Sequence, residues 1–122
     1  MDKELNLKLS IRIFKEEKLF GPGIADLLRN IDRTGSLQKA TKAMGMAYSK
    51  GWKMIKSLES LWGFPFTYRD VGGENGGGSS LTPEGRLLLE SYERFSAEVR
   101  ENAERLFGVY FSSSFYNDLN KH

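Results

Sequence analysis

Residues 35–63 read GSLQKATKAMGMAYSKGWKMIKSLESLWG, and this stretch decides the predicted fold. A short helix is expected to end at Gly45, a three-residue turn follows, and a longer helix begins near Tyr48. Apolar residues recur at helical spacing along the longer helix and predict its core-facing side: Trp52, Ile55, Leu58 and Trp62. Its other side is polar and positive: Ser49, Lys50, Lys53 and Lys56. This pattern is typical of a helix-turn-helix, which lays its second helix in the major groove of DNA.

Positive charge is concentrated on this motif, although the net charge of the chain is only +2. Between residues 36 and 60, five lysines accompany one acidic residue, Glu59. Between residues 84 and 105 the balance reverses, with six glutamates and four arginines. An electrostatic footprint for DNA has this kind of distribution. The alternative is a solvated lysine-rich helix face, which is common in proteins.

The chain before the motif is predicted to form strands and a helix. From Leu5 to Ile13, apolar residues alternate with polar ones, and this period of two indicates a half-buried strand. Residues 15–18 are a polar turn, and residues 19–20 could return as a short second strand. A helix follows, with Gly35 as its C-terminal stop. Its apolar residues recur at helical spacing: Ile24, Leu27, Leu28 and Ile31.

The chain after the motif is predicted to form a hairpin and a long helix. Residues 64–69 are a short aromatic strand candidate, and residues 70–80 form a glycine-rich loop. Thr82 is placed as an N-cap and Pro83 at the first helical position, where its missing N–H is not needed. The helix runs to about Phe107, and no structure is predicted for the tail beyond it.

Three helices followed by a hairpin predict a winged helix-turn-helix, mainly α with a small β component. Residues 1–82 would form the DNA-binding part with its N-terminal strand. Residues 83–122 would form a long C-terminal dimerisation helix and a tail, within one structural unit.

Composition argues against several other functions. The chain has no cysteine, and its single histidine, His122, ends the sequence. We therefore expect no metal site, no cofactor and no catalytic residue, and the protein is not expected to be an enzyme. The loop GGENGGGSS lacks the GxxxxGK[ST] pattern of a nucleotide-binding loop. No apolar run approaches the ~20 residues of a membrane span and no signal-peptide core is present, so we expect a cytoplasmic protein.

The residues expected to reach base edges lie at the N-terminal end of the second motif helix: Tyr48, Ser49, Lys50 and Lys53. Tyr48 could contact phosphate, or it could pack under Trp52, which we expect in the core. Lys56 lies one turn later and is expected to contact the DNA backbone.

Two further segments are expected to contact DNA. Ser36 is a natural N-cap of the first motif helix. The free N–H groups and the dipole of that helix end favour a phosphate, which would be contacted by three residues: Ser36, Gln38 and Lys39. In the glycine-rich hairpin, Arg69 at the base and Asn75 near the tip are best able to contact DNA.

The long C-terminal helix carries a narrow apolar seam with charged flanks: Leu88, Tyr92, Phe95, Val99, Ala103 and Leu106. About 25 residues span ~37 Å at 1.5 Å per residue, which is more than so small a core needs. The alternative is that the helix packs on its own domain. We expect a homodimer, because a two-fold dimer lets two helices address half-sites one turn apart.

The span from about residue 23 to residue 92 resembles the N-terminal domain of molybdate-dependent (ModE-type) transcriptional regulators. These regulators belong to the winged-helix group that includes LysR-type regulators. The resemblance rests on TGSLQKATKAMGMAYSKGWKMIKSLE and on GGENGGGSSLTPEGRLLLESY.

The resemblance implies a prokaryotic repressor or activator that binds double-stranded DNA as a homodimer. It places six residues near DNA, with the glycine loop as the wing: Ser36, Gln38, Tyr48, Ser49, Lys50 and Lys53. It also implies that the N-terminal strand and the long helix help to build the dimer.

The chain departs from this family pattern at three points. Full-length members carry a C-terminal molybdate-binding domain, and this sequence ends before one, which makes direct molybdate binding doubtful. Ala47 stands where the family often has serine, and losing such a cap costs ~0.5–2 kcal/mol. Gly51 replaces a more usual alanine inside the helix, and glycine destabilises a helix interior by roughly 1 kcal/mol relative to alanine. Both substitutions predict that the second motif helix is only marginally stable in the free protein and becomes ordered when it binds DNA.

A sequence-specific transcriptional regulator is the leading hypothesis. The same fold could instead bind protein through the aromatic tail and the helix seam. Phosphate contacts without base readout would make it a nonspecific DNA-binding protein.

Overall fold

The computed structural model describes residues 5–69 and 78–122, and for Arg69 the backbone alone. Within these ranges the chain forms β1 (Ile13–Lys15), β2 (Glu17–Phe20), α1 (Pro22–Thr34), α2 (Leu37–Ala43), α3 (Tyr48–Trp62), β3 (Thr67–Arg69), β4 (Ser79–Leu81), α4 (Pro83–Tyr110) and α5 (Phe115–Asn120). β1 pairs antiparallel with β2, and β3 pairs antiparallel with β4. The predicted winged helix-turn-helix is confirmed, with α2 and α3 as the motif and the β3–β4 hairpin as the wing.

The N-terminal segment differs from the prediction of a strand over residues 5–13. Strand pairing begins only at Ile13, and residues 5–12 pair with no strand in the described part of the chain. The alternation is present in the burial, because the odd-numbered residues from 7 to 13 are half-buried and their neighbours are exposed. The segment runs along a helix instead, where the Tyr92 hydroxyl of α4 donates to the Ile11 carbonyl oxygen at 2.7 Å. The pattern indicated an extended chain with one covered side, which does not require a neighbouring strand.

The boundary between α1 and α2 follows local signals in the sequence. Gly35 ends α1 with φ of 72°, in the left-handed region that glycine adopts easily. Ser36 Oγ then accepts a hydrogen bond from the Lys39 N–H at 3.1 Å and caps α2, as predicted. α2 ends at Ala43, two residues earlier than expected, and Gly45 lies in the turn with φ of 65°.

The core is built around α1. Its four predicted apolar residues are buried, and so are Ile55 and Leu58 of α3. Phe20 of β2 is fully buried and meets the Tyr92 ring of α4 edge-on, with ring centroids 4.8 Å apart. Burying one such side chain contributes roughly 1.5–3 kcal/mol. α1 contacts both helices of the motif and also α4, so the motif and α4 pack on the same central helix.

Two ion pairs connect α4 to α1. The Arg29 guanidinium donates to Glu93 at 2.7 Å, and the Arg86 guanidinium donates to Asp32 at 2.7 Å. The hydrogen bond and the charge of Asp32 raise the pKa of Arg86 above its ordinary value. Since these side chains are 36–50 % exposed, solvent screens both pairs and they contribute little to the stability of the fold.

The predicted seam of α4 is divided between two environments. Tyr92 is 7 % exposed and Leu88 packs partly buried against the core, so these two residues belong to the protein's own core. Phe95 and Leu106 are 54 % and 45 % exposed, and Val99 is half-buried. None of residues 97–110, all of which the structure describes, is buried. The exposed part of the seam is therefore its later part.

The end of the chain is more ordered than the sequence predicted. α4 continues to Tyr110, three residues beyond the expected end, and α5 follows. Three phenylalanines join the two helices: the ring centroids of Phe107 and Phe111 are 5.3 Å apart, and those of Phe111 and Phe115 are 5.0 Å apart. Among the described residues, no helix has both the length and the apolar character needed to cross a membrane.

Candidate nucleic-acid interface

The two helices of the motif meet at Gly51. This residue is buried, and a Cβ here would overlap Cγ2 of Thr41 in α2. Thr41 is 2 % exposed and its hydroxyl donates to the Leu37 carbonyl at 3.0 Å, which holds its side chain in place. The glycine therefore lets α3 approach α2 closely, a role that differs from the loosening predicted from its helix propensity.

The N-terminal end of α3 presents the predicted contact residues to solvent. Ala47 occupies the N-cap, as predicted, with φ of −66° and ψ of 142°, and its methyl group cannot accept a hydrogen bond. Tyr48 is 40 % exposed, and Ser49, Lys50 and Lys53 are exposed. The last three border a shallow depression together with Met54 and Ser57. An approaching DNA edge would meet two ammonium groups and two hydroxyls there.

Trp52 was expected in the core, and this prediction is wrong. Its side chain is 38 % exposed. The reason is the position of Gly51, which together with Ile55 and Leu58 forms the buried face of α3. At about 100° per residue, Trp52 is then turned to the edge of that face.

Lys56 is engaged within the protein as well as exposed. Its Nζ lies 5.6 Å from the centroid of the Trp52 ring and 3.8 Å from Glu59 Oε1. The side chain is still 53 % exposed, so it remains available to a phosphate. Its contact with the DNA backbone stays a prediction.

The start of α2 carries the second predicted group. Ser36 is half-buried and its hydroxyl is used by the cap, whereas Gln38 and Lys39 are exposed. The capping role is confirmed. The phosphate contact remains a prediction, for which exposed side chains at a helix N-terminus are suitable.

For the wing, the structure describes the two paired strands and their attachment to the motif. Arg69 ends β3 and pairs with Ser79, while Tyr68 pairs with Ser80 and is 54 % exposed. Asn75 lies outside the described residues. The Ser79 N–H donates to the Gly35 carbonyl at 2.8 Å, which attaches β4 to the boundary of α1 and α2.

Glu59 is the residue whose role the sequence did not predict. In the sequence it was only the single acidic residue of a lysine-rich segment. In the structure its carboxylate accepts hydrogen bonds from the N–H groups of Phe66 at 2.7 Å and Thr67 at 3.2 Å. The sequence offered one indication, which is that Glu59 is the single acidic residue among five lysines. A carboxylate on a surface facing DNA weakens the attraction to phosphate, so its presence there suggests a role within the protein.

The structure has the features of a winged helix-turn-helix DNA-binding protein: a second helix that carries lysines, a close crossing of the two helices at Gly51, and a hairpin that follows them. Residues 25–86 match the family model of the bacterial regulatory helix-turn-helix proteins of the LysR family. The chain belongs to this family, and the predicted resemblance to ModE-type regulators is confirmed by its relatives.

Three relatives illustrate the likeness. The molybdenum transport protein ModE of Azotobacter vinelandii is 34 % identical over 80 residues, which cover 66 % of this chain and 30 % of that protein. The transcriptional regulator ModE of Yersinia pestis is 33 % identical over 89 residues, 73 % of this chain and 32 % of the relative. The DNA-binding transcriptional dual regulator ModE of Escherichia coli K12 is 30 % identical over 99 residues, 81 % and 36 % respectively. The chain spans about a third of the length of these curated relatives.

Proposed function

We propose that this protein is a sequence-specific transcriptional regulator that binds an inverted repeat as a homodimer. The observation that carries the proposal is the exposed N-terminal end of α3, where Ser49, Lys50 and Lys53 stand together. A helix end of this composition can donate to guanine acceptors and to phosphates in the major groove. The start of α2 would add backbone contacts through Gln38 and Lys39.

The dimer part of the proposal is supported by α4. The helix has no buried residue beyond Ser96. Three large apolar side chains of its later part, Phe95, Leu106 and Val109, are 45–66 % exposed. A second α4 packed against this stretch would cover the apolar side chains, as a helical dimer interface requires.

Charge reversal tests the DNA surface. The double variant Lys50→Glu/Lys53→Glu is compared with Lys15→Glu/Lys121→Glu, which changes the net charge equally at exposed positions outside α3. In a mobility-shift titration of mixed duplex DNA at near-physiological salt, we expect the first variant to bind at least about thirtyfold more weakly. The control should bind within about threefold of the wild type. Equal loss in both variants would contradict a specific surface on α3.

The expectation that this chain does not bind molybdate directly is checked by repeating the wild-type titration with molybdate added. An unchanged dissociation constant is the expected result. A shift would show that these residues respond to the oxyanion.

The aromatic tail supports a second candidate function, a protein-interaction module. Tyr110, Tyr116 and Leu119 are 70 %, 45 % and 53 % exposed. If the wild type fails to bind any duplex in the titration above, this candidate replaces the first, because the tail lies outside the motif.

A further inference from the structure

Glu59 connects the recognition helix α3 to the wing. Its Oε2 accepts the Phe66 N–H at 2.7 Å and the Thr67 N–H at 3.2 Å, and it lies 3.4 Å from the Thr67 hydroxyl. Its Oε1 lies 3.8 Å from Lys56 Nζ, and the side chain is only 15 % exposed. Hydrogen bonds to a carboxylate are stronger than neutral ones, so this carboxylate holds the start of β3 firmly.

The same stretch of chain is held on its other side by α4. The Phe66 carbonyl accepts a hydrogen bond from the Thr82 N–H at 3.0 Å, and the Pro65 carbonyl accepts one from the Thr82 hydroxyl at 2.8 Å. Gly85 approaches the Phe66 carbonyl so closely that a Cβ would overlap it. The chain that enters the wing is thus held on two sides. The N–H groups of Phe66 and Thr67 bond to α3, and the carbonyls of Pro65 and Phe66 bond to Thr82 at the start of α4. Removing the Glu59 carboxylate would release only the attachment to α3.

We propose that Glu59 is a positioning residue for DNA recognition, which sets the angle of the β3–β4 hairpin relative to α3 so that both meet one duplex. The inference rests on the proposed DNA-binding function and adds to it a residue that does not itself touch DNA. It also explains an acidic side chain between residues 36 and 60, where the five other charged residues are lysines. The hydrogen bonds to the wing offset the repulsion between this carboxylate and phosphate.

Two substitutions separate the hydrogen bonds from the charge. Glu59→Ala and Glu59→Gln both remove the negative charge, but only glutamine keeps an oxygen able to accept from Phe66 and Thr67. Each variant is bound at saturation to a duplex selected by the wild type, and hydroxyl-radical cleavage maps the protected DNA. We expect Glu59→Gln to protect the same positions as the wild type. Glu59→Ala should keep protection at the α3 site, lose most of it at the flanking positions facing the wing, and bind about three- to tenfold more weakly than Glu59→Gln.

Two outcomes of this footprint overturn the inference: flanking protection that is equal in Glu59→Ala and Glu59→Gln, or lost in both. A wild type that binds no DNA would overturn the proposed function instead. In that case, amide exchange in the free protein tests whether Glu59 attaches the wing to α3. The Phe66 and Thr67 amides should exchange slowly in the wild type and in Glu59→Gln, and faster in Glu59→Ala. If Glu59→Ala does not fold, exchange of these two wild-type amides as fast as that of an unbonded amide still contradicts the attachment.

Discussion

At Gly51 the structure reverses the effect that helix propensity alone predicts. An alanine would favour the helix by roughly 1 kcal/mol. However, its Cβ would overlap the Thr41 side chain, which is buried and hydrogen-bonded to its own helix. Overpacking of this kind typically costs about 1–3 kcal/mol. We therefore expect Gly51→Ala to lower the free energy of unfolding, measured by urea denaturation.

The partner of this clash can be changed as a control. Thr41→Ser removes the Cγ2 methyl that the new Cβ would meet and keeps the hydroxyl. In a double-mutant cycle, Gly51→Ala should cost at least about 1 kcal/mol less in the Thr41→Ser background than in the wild type. Additive effects of the two substitutions would mean that the helices do not meet at these positions.

At Ala47 a missing cap should be easy to restore. The residue already has the extended backbone of an N-cap, with ψ of 142°. A serine there could accept a hydrogen bond from the N–H two or three residues later, so Ala47→Ser should raise the unfolding free energy by about 0.5–1 kcal/mol. Ala47→Val is the control, since it adds a side chain without an acceptor. Equal stability of the serine and valine variants would contradict the assignment of the cap.

At the scale of single elements, the first turns of α3 are expected to be the least protected part of the motif. Ala47 supplies no cap, whereas α2 is capped by Ser36 and α4 by Thr82. Hydrogen exchange of amides 48–56 should therefore be faster in the free protein than in a DNA complex. Amides that exchange as slowly in the free protein as in the complex would rule out ordering on DNA.

The elements that the sequence predicted well are those fixed by neighbouring residues. Gly35, Ser36 and Thr82 act within one helical turn, and their roles follow from local geometry. The lysines of α3 were likewise predicted to be exposed, because opposite faces of one helix can be distinguished by period alone.

The elements predicted poorly depend on distant contacts. Trp52 was assigned to the core because it recurs at helical spacing with Ile55 and Leu58, but Gly51 takes the core position by meeting Thr41, ten residues away. Residues 5–12 alternate like a strand, yet α4 covers them through Tyr92, which is 81 residues from Ile11. The role of Glu59 depends on its hydrogen bonds to Phe66 and Thr67, which form only when the chain folds back against α3. Periodicity does not contain this information.

For the whole molecule, the later half of α4 is proposed to hold two protomers together. Leu106→Glu would place a charge in that interface, and Leu87→Glu places the same charge on another side of the same helix, where Leu87 is 67 % exposed. By sedimentation, Leu106→Glu should raise the dimer dissociation constant at least about tenfold, while Leu87→Glu leaves it within about threefold. Equal behaviour of the two variants would place the interface elsewhere.

Selection from a random duplex library at near-physiological salt tests the central claim most directly. A two-fold dimer with α3 in the major groove predicts an enriched inverted repeat, with half-sites about 10–10.5 base pairs apart or a multiple of that distance. Binding should persist against excess nonspecific competitor DNA. Retention of duplexes without an enriched sequence, or enrichment of a single half-site, would contradict a dimeric sequence-specific regulator.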